Sequence, residues 1–308
     1  MSKPYQIRLG GYGPPTTSFS KSLRLIGNKL ENQFGSDVDI KYIYNIMDLG
    51  YKADDILWLT EHGFLTISYQ SSSYLTDQVP ELGFVDLPFL FKNNNHARNC
   101  MDGELGAYLS QKTEERINYK ILGYFENGFR HVSNRLRPIR KPSDFKNMKI
   151  RVLPSEFQVK TFSLLGATPM RMDLTEAIKG VIDGTLDAQE NPFANTVTYG
   201  VHNHHKYHTI SNHFYISRSI MCHRTTYYSW PEELKVAMNK AVDEAVLWQR
   251  EQAEQEAIDS RKAIEAAGCE IVDLTTTQQE LFTQATKSQY DEALDQFGSK
   301  MFNLIKET

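Results

Sequence analysis

A strongly basic stretch between residues 130 and 151 contains the two arginines that are best placed for chemistry. It holds eight cations against a single acid, Asp144; the cations are Arg130, Arg135, Arg137, Arg140, Lys141, Lys146, Lys149 and Arg151. Most charge runs of this kind are solvated surfaces. An arginine, however, can bind a carboxylate through two parallel charge-assisted hydrogen bonds. The stretch as a whole is therefore interpreted as a solvated face, and two of its members, Arg130 and Arg151, are set apart by their positions after predicted strands.

Arg151 lies at the end of a predicted short strand, residues 148–153. Ile150 and Val152 share one face of this strand, so Arg151 points to the other face. Ligands of open α/β sheets bind just beyond the carboxyl ends of strands. Arg130 also follows a strand directly. We expect Arg151 to bind a carboxylate. A structural ion pair is the alternative for both arginines.

The composition is that of a globular protein: 308 residues, of which 40% are hydrophobic and 23% charged. This length predicts two domains. The net charge of −4 argues against a nucleic-acid partner, which would require a basic surface. No apolar run approaches the roughly 20 residues that cross a bilayer. The N-terminus lacks the apolar segment of a signal peptide, which favours the cytoplasm unless a leader has been removed.

The sequence contains no familiar catalytic motif. The turn Gly10-Gly11-Tyr12-Gly13 matches neither common phosphate-binding loop, and neither HExxH nor GxSxG occurs. The three cysteines lie far apart and form no CxxC pair, so they are interpreted as small buried residues. Five histidines crowd into residues 201–213 without a neighbouring cysteine or acid. We expect solvated histidines and a structural His213 rather than a metal site, and no cofactor.

Strand-like and helix-like stretches alternate along the first part of the chain, which predicts an α/β fold. Strands are predicted at residues 5–10, 38–44, 64–69 and 119–125, with helices at 18–34, 49–63 and 95–118. The first three strands and the helices between them form a βαβαβ pattern. Such a pattern predicts a parallel sheet with right-handed crossovers.

A second unit is predicted to begin near residue 126. Its elements are a strand at 148–153, helices at 155–165 and 173–182, and a strand at 207–217. A helix from Pro231 to Ala267, with Ser229 and Glu232 as a capping box and Gly268 at its exit, would be about 55 Å long. A helix of that length can run across two domains. The predicted lobes are residues 1–125 plus 213–251, and residues 126–212 plus 252–308.

Five short stretches occur in an order and spacing that resemble one known family. They are Asn127–Arg130, Pro142–Val152, Gly166–Pro169, Asp183–Pro192 and Asn212–His213. Together they are similar to the DctP-type periplasmic substrate-binding proteins of tripartite ATP-independent periplasmic (TRAP) transporters. The resemblance covers nearly the whole chain, and Asn147 departs from it by replacing a usual glycine.

The resemblance implies a two-lobed periplasmic-binding-protein (Venus flytrap) fold of the α/β class, with a long helix spanning both lobes. It implies that Arg151 pairs with the ligand carboxylate, that Asn191 hydrogen-bonds the same group, and that Arg130 adds a second positive contact. The further substrate-binding candidates are Tyr12, Tyr69, Gln70, Tyr74, Leu174, Phe193 and Phe214. The implied protein is periplasmic, has lost its leader, is not an enzyme and works with the membrane permease subunits of a TRAP transporter. We expect a monomer.

The resemblance does not identify the acid. Family members that bind sialic acid carry a glutamate and an arginine after the third strand, where this chain has Tyr69 to Tyr74, so sialic acid is not expected. Two alternatives remain from the residues alone. One is a hydrolase or lyase in which Arg151 anchors a carboxylate substrate. The other is a ligand-sensing receptor subunit with the same binding chemistry.

Ligand binding is expected to close the lobes in a hinge motion. In this interpretation the second lobe provides Arg151, Arg130 and Asn191, and the first provides Tyr12 and the stretch from Tyr69 to Tyr74. The hinges are expected near residues 125–126, 212–213 and 250–252.

Overall fold

The computed structural model describes residues 4–305, and the contacts within it divide the chain into two compact units. The first unit comprises the residues up to Ser72, Ala107–Glu126 and Ser217–Ala253. The second comprises Ser73–Gly106, Asn127–Ile216 and the residues from Glu254 onward. The chain thus passes between the units after Ser72 and returns after Gly106. The prediction that residues 73–106 belong to the first lobe is wrong, because these residues make their contacts within the second unit.

Eleven strands lie within the described residues: β1 (Tyr5–Gly10), β2 (Val38–Ile43), β3 (Ile67–Ser71), β4 (Tyr119–Phe129), β5 (His131–Asn134), β6 (Lys149–Val152), β7 (Thr168–Arg171), β8 (Ala188–Asn191), β9 (Tyr207–Ile210), β10 (Tyr215–His223) and β11 (Glu270–Asp273). The α-helices within the same residues are α1 (Ser18–Phe34), α2 (Asp55–Glu61), α3 (Asn94–Asp102), α4 (Glu104–Arg116), α5 (Glu156–Leu164), α6 (Leu174–Ile182), α7 (Phe193–Thr198), α8 (Arg224–Ser229), α9 (Glu232–Ala266), α10 (Thr276–Ala285) and α11 (Ser288–Asn303). Short 3₁₀ turns connect several of them.

The first unit is built on a five-stranded sheet with the order β2-β1-β3-β10-β4. Strand β1 is parallel to β2 and β3, as the βαβαβ pattern predicts, and β10 is antiparallel to β3. Ile7 and Leu9 of β1 are fully buried. Helix α1 covers the sheet with its apolar stripe, in which Leu23 and Ile26 are also fully buried.

The second unit contains a six-stranded sheet with the order β11-β9-β5-β8-β6-β7. Strand β6 is parallel to both β7 and β8, so the carboxyl ends of these three strands lie at one edge. Ile150 and Val152 of β6 pack in an apolar core with Phe145, Phe162 and Phe214. This core fixes one face of β6 and leaves the other face for polar side chains.

Several predicted elements differ from the structure in length. Residues 207–217 form parts of two strands, because Asn212 takes a left-handed conformation with φ 46° between them. The predicted helix 95–118 is two helices, α3 and α4. The predicted capping box of the long helix is wrong: Ser229 ends the preceding helix, and its hydroxyl donates to the carbonyl oxygen of Thr226.

The long helix α9 contributes its first part to the first unit and its last part to the second, as its length predicts. Gly268, just after the helix, has the positive φ (76°) expected at a helix exit. Within residues 4–305 no helix combines the length and apolar character that crossing a membrane requires.

Candidate functional site

Arg151 occupies the polar face of β6 near its carboxyl end, as predicted. Its side chain is only 2% exposed. Strand pairing places it opposite Gln189 of the parallel neighbour β8. Side chains alternate along a strand, so Asn191, two residues beyond Gln189, faces the same side as Arg151. Arg151, Gln189 and Asn191 therefore form a polar group at one edge of the sheet.

The Arg151 guanidinium is held by neutral acceptors. Its Nε donates to the carbonyl oxygen of Met172 at 3.1 Å, and its Nη2 donates to the hydroxyl of Tyr74 at 2.9 Å. Neither acceptor carries a charge, and among the described residues no carboxylate pairs with Arg151. Within residues 4–305, Arg151 therefore has no acidic partner for the structural ion pair considered as the alternative. A buried cation without a counter-ion is costly, and binding of an anion would offset that cost.

Tyr74 connects two predicted site residues. Its hydroxyl accepts from Arg151 and also from the backbone N–H of Leu174 at 3.0 Å, at the start of α6. Both contacts lie within the second unit, whereas the sequence placed Tyr74 in the first lobe. The contribution of Leu174 is its backbone, and its side chain is buried. Tyr74 thus sets the position of the guanidinium relative to α6.

The amide of Asn191 is oriented by two neighbours. Its Oδ1 accepts a hydrogen bond from Nη2 of Arg130 at 2.9 Å, and its Nδ2 donates to Oε1 of Gln189. The Gln189 amide is fixed in turn, because its Nε2 donates to the hydroxyls of Ser133 (2.9 Å) and Thr196 (3.2 Å). An amide nitrogen has two hydrogens, so Asn191 keeps one N–H for a ligand.

Arg130 is paired within the protein. Its guanidinium donates from Nε and Nη2 to the carboxylate of Glu190, with an Nη2–Oε1 distance of 2.8 Å. The side chains of Arg130 and Glu190 are 1% and 0% exposed. Burial would raise the pKa of Glu190, but the Arg130 charge and a hydrogen bond from His213 hold this pKa below its ordinary value. Arg130 is therefore charge-compensated and orients Asn191, which agrees with the alternative interpretation of Arg130 as part of a structural ion pair.

His213 completes this cluster as a neutral ring. Burial lowers its pKa despite the neighbouring Glu190 carboxylate. The Ser211 hydroxyl lies 2.7 Å from Nδ1, and Glu190 lies 3.4 Å from Nε2. These contacts match a ring that donates from Nε2 and accepts at Nδ1. The structural role predicted for His213 agrees with this arrangement.

Two predicted aromatic contacts in the second unit differ from each other. Phe193 is buried against the ring of His131, with 4.6 Å between ring centroids. Phe214 is 1% exposed and belongs to the apolar core with Phe162. Phe214 therefore packs as a core residue, and its surroundings give no support to ligand contact.

The first unit holds the remaining candidates, Tyr12, Tyr69 and Gln70. Both polar atoms of the Gln70 side-chain amide bond to the backbone. Its Nε2 donates to the carbonyl oxygen of Ala53, and its Oε1 accepts from the N–H of Ser71. The Tyr12 and Tyr69 rings lie 5.3 Å apart, and the Arg218 guanidinium lies 4.9 Å and 5.5 Å from their centroids. Sequence reasoning missed Arg218, because a single arginine in an apolar strand carries no pattern.

The histidines of residues 201–213 were expected to be solvated, apart from His213. No group of three or more histidine, cysteine or acidic side chains within residues 4–305 could hold a metal ion. His205 and His208 are buried rather than solvated, which corrects the expectation for these two. Burial lowers the pKa of His205 to about 3 and that of His208 to about 4.

These buried histidines predict a loss of stability in acid. An unfolded histidine takes up a proton near pH 6.5, while the folded ring of His208 stays neutral until about pH 4. The contribution of neutral His208 to the free energy of unfolding is therefore present above pH 6.5 and is lost as the pH falls toward 4. At pH 5 the loss should amount to about 2 kcal/mol. In urea unfolding, His208→Gln should lose less stability than the wild type between pH 7.5 and pH 5. The exposed His204→Gln is the control, and an equal loss in all three proteins would contradict the prediction.

A cavity of about 790 Å³ lies elsewhere in the second unit. Its lining includes Phe89, Phe129, Asn212 and Gln279, and it includes none of the predicted site residues. The buried Arg151 cation with its neutral partners indicates an anion site more specifically than the size of a cavity does. The candidate site therefore remains at the carboxyl ends of β6 and β8.

Comparisons with known proteins show which sequences and structures this chain resembles. Residues 10–296 match the family model DctP, described as "Bacterial extracellular solute-binding protein, family 7". The chain is 28% identical over 230 residues to the 2,3-diketo-L-gulonate-binding periplasmic protein YiaO of Escherichia coli, covering 74% of this chain and 68% of that protein.

Solved structures are similar over the whole fold. The sugar acid binding protein DctPAm of Advenella mimigardefordensis, in complex with galactonate, has a TM-score of 0.93 at 23% identity and covers 100% and 99% of the two chains. A TRAP periplasmic solute-binding protein of Sulfurospirillum deleyianum with bound succinate has a TM-score of 0.91 at 24% identity, with 99% of each chain covered. These likenesses confirm the predicted two-lobed α/β fold of the periplasmic-binding-protein type.

Proposed function

Because the chain belongs to the DctP family of bacterial extracellular solute-binding proteins, we propose that it captures a small organic-acid anion outside the cytoplasm for a TRAP-type membrane transporter. The observation that carries the proposal is Arg151, a buried guanidinium held by two neutral acceptors. A carboxylate ligand would supply the missing negative charge. The family is one of solute-binding proteins rather than enzymes, which favours capture over catalysis.

The geometry supports a two-point contact with a carboxylate. A guanidinium carries five N–H donors, and the contacts to Met172 and Tyr74 use two of them. The others are available for two parallel hydrogen bonds to the ligand oxygens. Asn191 offers one further N–H from the same face of the sheet. Arg130 and Glu190 orient Asn191 and contribute no net charge to the site.

The ligands named for similar proteins support the same chemical class. 2,3-Diketo-L-gulonate, galactonate and succinate all carry a carboxylate, although their remaining groups differ. We therefore propose a small organic acid as the ligand, a periplasmic location and the permease subunits of a TRAP transporter as partners.

A thermal-shift screen tests the proposal. The screen uses succinate, galactonate, 2,3-diketo-L-gulonate and other sugar acids, each at high excess over the protein. An acid at 100 times its dissociation constant should stabilise the protein by about 2.7 kcal/mol, which raises the melting temperature measurably. The wild type and Arg151→Lys are screened side by side. No shift with any small carboxylate, or equal shifts in both proteins, would contradict the proposal.

Asn191→Ala is expected to weaken binding of the identified acid by about 1–2 kcal/mol, because one neutral hydrogen bond to a charged group is lost. Calorimetry measures the affinity, and the exposed Asn203→Ala in the same unit serves as the control. Wild-type affinity in Asn191→Ala would remove Asn191 from the binding site.

A further inference from the structure

A buried carboxyl group lies in the second unit outside the site described above. Asp86 ends the 3₁₀ helix Pro80–Asp86 and is 0% exposed. Its Oδ1 accepts from the hydroxyl of Ser73 at 2.7 Å and from Nε2 of Gln158 at 3.2 Å. Its Oδ2 has no hydrogen bond of normal geometry, although the Ser155 hydroxyl lies close enough to lower the pKa. No ion pair includes Asp86 within the described residues. A group this costly to bury calls for an explanation.

The Asp86 contacts lead to both partners of the Arg151–Tyr74 hydrogen bond. Ser73 directly precedes Tyr74 in the chain. Gln158 accepts at Oε1 from the backbone N–H of Leu153, two residues after Arg151, at 3.2 Å. Gln158 also donates to the Ser73 hydroxyl at 3.1 Å, which closes the network. Asp86 therefore joins the backbone before Tyr74 to the backbone after Arg151.

We propose that Asp86 is a positioning residue for the anion site: through Ser73 and Gln158 it fixes the backbone that carries Tyr74, and thereby the orientation of the Arg151 guanidinium. This inference rests on the proposed function, because it gives the network a purpose in carboxylate binding. Asp86 itself does not touch the ligand in this account. Its effect passes through the Tyr74 hydroxyl, which accepts from Nη2 of Arg151.

The charge on Asp86 should make this positioning sensitive to pH. Burial raises the pKa of Asp86 to about 6, against the hydrogen bonds from Ser155, Ser73 and Gln158 and with a further rise from the Glu190 charge. The charged carboxylate accepts from Ser73 and Gln158, whereas the protonated group has a hydrogen to donate and accepts less strongly. The pKa of Glu190 is held below its ordinary value by the Arg130 charge, and burial lowers the pKa of His213, so both shifts move these groups away from neutral pH while that of Asp86 moves toward it. Affinity should therefore fall as the pH drops through 6.

The test compares Asp86→Asn, Ser73→Ala and wild type from pH 8 to pH 5. Asp86→Asn keeps the shape and removes the charge, so its affinity should be about threefold to thirtyfold weaker than wild type at pH 8 and should change little with pH. Ser73→Ala should weaken binding in the same direction while leaving Asp86 in place, and it serves if Asp86→Asn does not fold. The control is Asp187→Asn, because Asp187 bonds Arg135 and the backbone of Lys149 at the amino end of β6.

Two readouts keep the outcomes distinct. Calorimetry with galactonate, succinate and 2,3-diketo-L-gulonate measures affinity, and the ¹⁵N NMR signal of the Arg151 Nε–H, assigned with Arg151→Lys, reports the guanidinium without ligand. We expect Asp86→Asn to shift or broaden this signal and Asp187→Asn to leave it unchanged. If no acid binds the wild type, the proposed function fails, and the NMR signal alone decides the role of Asp86. An unmoved signal in Asp86→Asn and Ser73→Ala, or wild-type affinity and pH dependence in both, would overturn the inference.

Discussion

Replacing Arg151 with lysine is expected to weaken binding of the organic acid by about 2–4 kcal/mol, or roughly 30-fold to 1,000-fold, although the positive charge is retained. Lysine is a point donor and cannot bond two carboxylate oxygens in parallel while also reaching Met172 and Tyr74. A single hydrogen bond from lysine would leave the buried ligand carboxylate imperfectly paired. Isothermal titration calorimetry with the acid identified by thermal shift measures the loss.

The matched control for this prediction is Arg140→Lys. Arg140 lies in the same unit, but its side chain is 51% exposed and pairs with the exposed Glu270 at 3.4 Å. Exposed pairs of this kind contribute little, so affinity and stability should stay near those of the wild type. If Arg151→Lys binds as tightly as Arg140→Lys, the two-pronged contact does not exist.

Glu190→Gln is expected to destabilise the fold by about 3–5 kcal/mol, because it leaves the buried Arg130 without its counter-charge. The two side chains are almost fully buried, and Arg130 donates hydrogen bonds to the Glu190 carboxylate from both Nε and Nη2. Urea unfolding at pH 7.5 measures the effect. The exposed Glu270→Gln, which removes a surface partner of Arg140, should cost less than about 1 kcal/mol.

A double variant separates the pair from the individual charges. Replacing Arg130 with methionine and Glu190 with leucine removes both charges and keeps most of the volume. It should recover much of the stability that Glu190→Gln loses, because no unpaired charge remains. It should also weaken ligand binding, since Asn191 loses the donor that orients its amide. A Glu190→Gln protein as stable as Glu270→Gln would show that Glu190 is not the main counter-charge of Arg130.

The sequence predicted the elements with strong periodicity. Strand β1 and helix α1 have the predicted bounds, since their apolar residues repeat at strand and helix spacing and are buried. Strands β7 and β8 were not predicted. Each is four residues long, and the sequences TPMR and AQEN have no apolar alternation to recognise. Such strands are defined by their neighbours in the sheet, which a local pattern cannot reveal.

The candidate site was predictable in part for the same reason. Arg151 could be identified because Ile150 and Val152 define the opposite face of its strand. The pairing of Arg130 with Glu190 joins residues 60 positions apart, so no local pattern indicates it. Gln189 and Glu190 lie in the stretch Asp183–Pro192 that carries the family resemblance. That resemblance was the only indication in the sequence that these two residues could belong to the site. Tyr74 was placed in the wrong unit because the crossing of the chain after Ser72 has no mark in composition.

The central claim is that Arg151 recognises a carboxylate, and its most direct test compares the best organic acid of the screen with its own primary amide. The two ligands have nearly the same size and hydrogen-bonding outline, but only the acid carries a charge. Calorimetry at pH 7.5 should show the acid binding at least about 30-fold more tightly to the wild type. The preference should be much smaller in Arg151→Lys. Equal affinity of acid and amide for the wild-type protein would contradict the account.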